Sequence, residues 1–328
     1  MKHVVMTGPK TSVVADMPDV ELGANQILIR NRYVGVCMSE HYDWAHAKAG
    51  DAFGHEPMGV VTEVGKDVTG FAVGDRVGGS WGGSLPGSGG MVEFAAADPA
   101  RDIVVKIPDN VRDEDAILEP LSCMMSAVSK VRFTMPGTVV CVVGAGYMGC
   151  GLISLLKLRG AYVAAVDIRP ESLANAKKFG ADETYSVEEA LAKFSAHPYG
   201  GFDYVMEWGE TNESLDEAIN LTNECGHLYV GAYHTGPKRL VDMQQLGVKA
   251  IDLWNTPPRE WNLSNTGAHN AVKLLSSGEW KFSHVPTKVY PMGQFDLAHA
   301  EEETKYGKYM KALIDMTKLD GEARILEA

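Results

Sequence analysis

Val139-Val-Cys-Val-Val-Gly144-Ala-Gly146-Tyr147-Met148-Gly149 decides how the rest of the chain is read. Five apolar residues, mostly β-branched, enter a glycine-rich turn that opens into Cys150-Gly-Leu-Ile-Ser-Leu-Leu-Lys-Leu-Arg159. Leu152, Leu155, Leu156 and Leu158 give that segment the pattern of a largely buried helix. Gly160 then releases the chain into a second apolar strand, Ala161-Tyr-Val-Ala-Ala-Val166, which ends on Asp167. Each glycine has a separate task. Gly144 permits the tight turn, Gly146 lets backbone amides approach a pyrophosphate, and Gly149 lets helix and strand pack closely. The helix N-terminus adds oriented N–H donors and partial positive charge. An acid at the end of the second strand can accept ribose hydroxyls. Strand, turn, helix, strand and acid in this order predict a dinucleotide site, with Tyr147, Met148, Ile168 and Arg169 also placed to touch the ligand. Asp167 favours NAD, because a carboxylate repels a 2′-phosphate; Arg169 is the counter-signal.

Outward from this unit, strand-like segments Phe202–Glu207, Gly226–Gly231 and Val248–Trp254 alternate with helical stretches at 186–195 and 213–223. Alternation of this kind predicts an α/β, doubly wound parallel sheet. Residues 1–100 read differently, as short strands at close spacing with glycine turns, which indicates a compact β-rich, partly closed sheet. Between them Glu114–Val128 reads as two helical segments meeting at Pro120. The tail returns to mixed structure, with a helix at 266–277, a strand Val285–Tyr290, an acidic helix near 294–304 and a closing strand Tyr309–Asp315.

The 328 residues suggest about two domains. A formal net charge of −13 argues against nucleic acid or an anionic membrane surface as partner. No apolar run approaches the ~18 residues of a membrane span, and the start lacks the features of a signal peptide. Five cysteines without a CxxC pair do not form a disulfide framework, and a cytoplasmic location is the simplest expectation.

A second constellation lies upstream. Cys37 stands in Gly35-Val-Cys-Met-Ser-Glu40, His55 and Glu56 in Gly54-His-Glu-Pro57, and Glu119 in Leu118-Glu-Pro-Leu121. A thiolate, an imidazole and a carboxylate from separate turns can supply three corners of a tetrahedral zinc site with one open position. Each residue alone also has an ordinary structural explanation. Cys123, one helical turn after Glu119, is a rival ligand.

Taken together, Gly-Val-Cys-x-Ser-Glu, Gly-His-Glu-Pro, Gly74-Asp-Arg-Val77, Glu-Pro-Leu and Gly-Ala-Gly-x-x-Gly resemble the zinc-dependent medium-chain dehydrogenases, most of all the sorbitol (polyol) and threonine dehydrogenase branches. The resemblance covers nearly the whole chain. It implies a GroES-like catalytic domain built from both ends, 1–121 and 263–328, around a Rossmann NAD-binding domain at 122–262, with the active site in the cleft between them. It implies Cys37 and His55 as zinc ligands. Glu56 and Glu119 would be a third ligand and a close neighbour, in an order the sequence leaves open. Ser39 would take the substrate proton, Glu40 would orient His55, and His41 or Tyr42 would pass the proton to solvent. The implied activity is NAD-linked oxidation of a polyol or sugar-type secondary alcohol, with an amino-alcohol dehydrogenase or a zinc-free quinone or enone reductase as alternatives. A homodimer or homotetramer is implied in the same way. Three departures stand out. The loop at 78–90 replaces a four-cysteine lobe, so one catalytic zinc and no structural zinc is expected. Tyr42 occupies the place of the usual relay histidine, with His41 one position earlier. Leu253-Trp-Asn-Thr-Pro-Pro258 is unusual for a nicotinamide pocket. Tyr42, Trp44, Trp81, Glu93 and Asn255 are candidate pocket residues.

Overall fold

The computed structural model describes residues 1–81, 90–133, 135–194, 200–257, 260–302 and 308–326. It divides into two compact units: Met1–Ser122 with Trp261–Ser277 and Ser283–Ala328, and Cys123–Glu260 with Gly278–Phe282. That last stretch falls inside the 263–328 expected for the first domain. Its place has a packing reason: Trp280 is fully buried, donates from Nε1 to Ser154 Oγ at 2.7 Å, and stacks on Phe282.

In the second unit six strands run parallel in the order Glu183–Tyr185, Tyr162–Val166, Val139–Val143, Phe202–Glu207, Thr222–Val230, Asp252–Asn255. Val140–Val143 and Val163–Val166 are buried throughout. A parallel strand covered on both faces reads as an unbroken apolar run for this reason. The helix Pro170–Lys178 starts with proline in its first turn, where the missing N–H costs nothing. Thr211 and Ser214 form a reciprocal capping box on Asn212–Leu221. This is the doubly wound sheet expected from the sequence, and its strand order reverses between Val139–Val143 and Phe202–Glu207.

The stretch Val248–Trp254 needs correction as a single strand. Val248 closes a short helix, Met243–Val248, and the strand begins only at Asp252. Between them Ala250 takes φ of 50°, and Lys249 Nζ donates to the carbonyls of Ile219, Asn220 and Thr222. Apolar periodicity cannot register a lysine that ties off three carbonyls.

The first unit holds a sheet in the order Arg324–Leu326, Thr287–Pro291, Lys311–Asp315, Ile27–Gly35, Glu56–Val64, Arg76–Ser80, Ile103–Lys106, with Phe94–Ala97 also paired to Ile27–Gly35. Lys311–Asp315 lies antiparallel to Ile27–Gly35, so the C-terminal strands complete a sheet begun by the N-terminal ones. Along Ile27–Gly35 burial first alternates and then becomes continuous over Tyr33–Gly35, where the chain approaches the cysteine. Trp44 and Trp81, read as pocket residues, are core, each 2% exposed; Trp44 Nε1 donates to Asp296 and Trp81 Nε1 to Asn31. Burying an indole while giving its N–H an acceptor is the ordinary use of tryptophan. The loop at 78–90 falls largely on residues 82–89, outside those described. No helix among the described residues is long and apolar enough to cross a membrane.

Candidate active site

Strand register brings the metal-ligating types together. Gly35 pairs opposite Glu56, so Cys37, two residues beyond one strand, faces His55, one residue before the other. One ligand atom from each of Cys37, His55 and Glu56 lies within 4.8 Å of the others. Two glycines make the cluster possible. A Cβ on Gly35 would stand 1.9 Å from Glu56 Oε2. Gly54 holds φ at 98°, and a Cβ there would meet the Met91 backbone nitrogen at 2.9 Å. Gly35 thus leaves the space that Glu56 fills, and Gly54 lets the chain turn tightly against Met91 one residue before His55.

Around this trio the hydrogen bonds are directional. Glu40 Oε1 accepts from the Gly54 N–H at 2.8 Å and lies 2.7 Å from His55 Nδ1, fixing the ring. Ser39 Oγ donates to Cys37 Sγ at 3.2 Å. Burial pushes the Cys37 thiol up, and the Glu56 carboxylate beside it adds to the effect. Burial alone would lower the His55 imidazole; hydrogen bonds to Cys37 and Glu40 outweigh it and carry it up to about 12. Thiol, imidazole and carboxylate are therefore crowded into one partly buried space that holds its protons tightly. A soft thiolate, an imidazole and a carboxylate form a donor set suited to zinc, and binding a divalent cation there would release protons.

The other candidates lie differently. Glu119 sits in the first turn of the helix Leu118–Lys130 and does not join the three clustered ligand atoms; nor does Cys123. Tyr42 is exposed and stacks on His46 at 4.1 Å. His41 turns toward a buried aromatic group, 5.2 Å from Trp44 and 6.0 Å from His299 between ring centroids. His299 was not singled out by sequence. It is fully buried, and neither ring nitrogen has a hydrogen-bond partner among the described residues. Burial first, and His41 second, hold its pKa down at about 3.

This ring makes a pH prediction. An unfolded histidine takes its proton near pH ~6.5, whereas folded His299 resists until about 3. The native state binds fewer protons in that window, so stability is intact above it and falls as pH drops through it, by at most about 1.4 kcal/mol per pH unit. Replacing His299 with phenylalanine is expected to flatten this part of the acid-unfolding curve; an unchanged curve would remove the ring as its cause.

In the second unit the glycine turn separates into the three tasks. Gly144 has φ of 90°, and its Cβ would meet the Trp208 carbonyl carbon at 2.6 Å; a Cβ on Gly149 would meet Gly144 O at 2.0 Å. Gly146 is open, with Arg169 Nη2 at 4.0 Å as its nearest neighbour. Gly146 caps the helix Tyr147–Leu158, so Tyr147, Met148 and Gly149 form its first turn. Asp167 is 5% exposed; Oδ2 accepts from the Ala145 N–H at 2.8 Å and Oδ1 from Arg169 N and Nε at 2.9 and 3.3 Å. Three of the roughly four acceptor directions of a carboxylate are thereby occupied. Ile168 is 77% exposed at the strand end, an apolar surface beside the acid.

Comparison with known proteins fits both halves. Residues 23–109 match the alcohol dehydrogenase GroES-like domain, and residues 148–257 the zinc-binding dehydrogenase model. Sorbitol dehydrogenase of Mus musculus is 31% identical over 348 residues, covering 95% of this chain and 94% of its own. The chain belongs to the zinc-dependent medium-chain dehydrogenases. A probable D-xylulose reductase A of Neosartorya fischeri is 32% identical, covering 91% of this chain and 92% of its own. The 2R,3R-butanediol dehydrogenase of Bacillus subtilis shares the fold with a TM-score of 0.78 at 19% identity, over 96% of this chain and 99% of that one. This dehydrogenase is therefore an oxidoreductase of a family that works with zinc and NAD(P).

One residue of this medium-chain dehydrogenase's cluster was missed by sequence reasoning. Lys311 Nζ lies 2.5 Å from Glu56 Oε2 and donates to Val36 O at 3.0 Å; the two side chains are 8% and 1% exposed. Its sole signal in the sequence is a lysine inside an otherwise apolar strand, Tyr309-Met-Lys-Ala-Leu-Ile314. Removing one partner of a buried pair typically costs about 3–5 kcal/mol, because the other charge is stranded. Lys311→Met is expected to lose that much in urea unfolding of the metal-stripped protein. A loss below about 1 kcal/mol would fit an exposed pair instead.

Proposed function

We propose that this protein is an NAD-linked, zinc-dependent dehydrogenase that oxidises secondary alcohols of polyols or sugars reversibly. The observation carrying this reading is the Cys37, His55 and Glu56 cluster, with ligand atoms within 4.8 Å. Similarity to proteins named sorbitol dehydrogenase, D-xylulose reductase and erythritol/L-threitol dehydrogenase supports the polyol class. Zinc, when bound, supplies Lewis acidity to a substrate hydroxyl, and the nicotinamide supplies the hydride acceptor.

The chain's own residues divide the remaining work. Cys37 and His55 hold the metal, with Glu56 as third ligand and Glu119 as a residue near it. Glu40 positions His55 through Nδ1, the arrangement that fixes a metal-bound imidazole. Ser39 takes the proton of the substrate hydroxyl, and its hydroxyl already lies on the ligand sulfur. Tyr42, the exposed one of the two relay candidates, passes it toward solvent, while His41 faces the Trp44 and His299 rings. Asp167 accepts a ribose hydroxyl of NAD, flanked by Ile168 and Arg169, and Gly144, Gly146, Tyr147, Met148 and Gly149 receive the pyrophosphate. The catalytic domain comprises 1–121 and 263–328 apart from 278–282, which join the NAD-binding domain of 122–262. One zinc per chain, a homodimer or homotetramer, and a cytoplasmic location complete the proposal.

A panel of polyols, sugars and amino-alcohols, read as NADH formation, tests the substrate class. Turnover of polyols above threonine-type amino-alcohols is expected; the reverse order would favour the amino-alcohol reading, and enone reduction without zinc would favour the zinc-free one.

A further inference from the structure

A polar cluster lies at the carboxyl ends of Phe202–Glu207 and Thr222–Val230, away from the glycine turn in sequence but beside it in space. Trp208 links the two. Its N–H donates to Val143 O at 2.8 Å, its carbonyl carbon is what a Gly144 Cβ would strike, and its ring would strike a Gly231 Cβ at 2.1 Å. Immediately before it, Glu207 is fully buried. Glu207 Oε1 accepts from Gly209 N at 2.8 Å, Glu210 N at 3.1 Å and Ser214 Oγ at 2.6 Å. Glu207 Oε2 meets His234 Nε2 at 2.9 Å.

His234 is fixed at one nitrogen and vacant at the other. Its side chain is 12% exposed, and its backbone takes φ of 51°, a conformation uncommon for a residue with a side chain. Nδ1 is buried and has no hydrogen-bond partner among the described residues; the same holds for the indole nitrogen of Trp208. A buried polar atom without a partner is costly unless a ligand or water completes it. With Nε2–H given to Glu207, a neutral ring presents Nδ1 as an acceptor.

Topology indicates what arrives there. A dinucleotide on this fold crosses the carboxyl edge of the sheet at the point where strand order reverses. Its adenosine half lies on the Asp167 side and its pyrophosphate over Gly146. Its second nucleoside then falls beyond Val139–Val143, at the ends of Phe202–Glu207 and Thr222–Val230. We propose that His234, oriented by Glu207, contacts the nicotinamide–ribose half of the cofactor, its Nδ1 accepting from a ribose hydroxyl or the carboxamide N–H. This rests on the dinucleotide reading above and adds a contact that no glycine motif encodes.

The test is calorimetric titration of the full-length, zinc-loaded enzyme with NAD, ADP-ribose and ADP. His234→Gln keeps an amide N–H for Glu207 and removes the Nδ1 acceptor; His234→Ala removes both. NAD affinity is expected to fall about 10-fold in both variants, the size of one hydrogen bond, while ADP affinity holds within about twofold. Retained ADP binding also reports that the unit is folded. ADP-ribose weakened in step with NAD would identify the ribose hydroxyl, and ADP-ribose unchanged would identify the carboxamide. Unchanged NAD affinity, or equal weakening of NAD and ADP, would overturn the contact and leave His234 a structural partner of Glu207. Wild type that binds neither NAD nor ADP would instead overturn the dinucleotide reading itself.

Discussion

Cys37→Ala is expected to abolish stoichiometric zinc and to lower kcat/KM by about 10³-fold or more, since Lewis-acid stabilisation is worth several kcal/mol and each 1.36 kcal/mol is a factor of ten. The cause is local. Cys37 is the one thiol in the cluster, and His55 and Glu56 are the other donors within 4.8 Å. Without the sulfur, Ser39 loses the atom its hydroxyl now meets, and His55 keeps only Glu40. Cys123→Ala is the control: the clustered donors are Cys37, His55 and Glu56, so zinc content and turnover are expected to hold. Atomic absorption and steady-state kinetics on the two variants give the answer. Undiminished zinc in Cys37→Ala, or its loss in Cys123→Ala, would exchange the two assignments.

The second large effect is on cofactor choice. Asp167 is buried at its strand end, tied to the glycine turn through Ala145 and to the guanidinium of Arg169. A ribose hydroxyl bonded to a carboxylate is worth about 1.5–3 kcal/mol, and a 2′-phosphate would meet the same charge as repulsion. Asp167→Ala removes both influences at once and frees Arg169, whose Nη2 lies 4.0 Å from the position of a Gly146 Cβ. The ratio of kcat/KM for NAD over NADP is expected to fall on the order of 10²-fold or more. A ratio that stays the same would mean that Asp167 serves the loop and not the ribose.

What could be read in advance, and what could not, divides along sequence distance. The parallel sheet was legible because buried strands such as Val139–Val143 are apolar without interruption, and because a glycine turn constrains its neighbours within a few residues. The GroES-like domain was legible through its motifs, and the structure supplies their cause: Gly35 makes room for Glu56, and Gly54 turns the chain at φ 98° against Met91 just before His55. Contacts between distant segments left little trace. Lys311 reaches Glu56 from the far end of the chain, and His234 reaches Glu207 from the next loop, with no local pattern to announce either. Tryptophans misled for a related reason. Trp44 and Trp81 are amphipathic enough to line a pocket, yet their indole nitrogens find acceptors inside the core. Glu119 precedes a proline in a suggestive motif and opens the helix Leu118–Lys130, while the three clustered ligand atoms belong to Cys37, His55 and Glu56.

Catalysis here depends on the trio of Cys37, His55 and Glu56 holding a metal. The most direct measurement is zinc content of the wild-type protein, purified without chelator, alongside NADH formation from a polyol before and after metal removal. About one zinc ion per chain, with turnover lost on its removal and regained on its return, is the predicted result. Full polyol turnover by protein containing no zinc would contradict it.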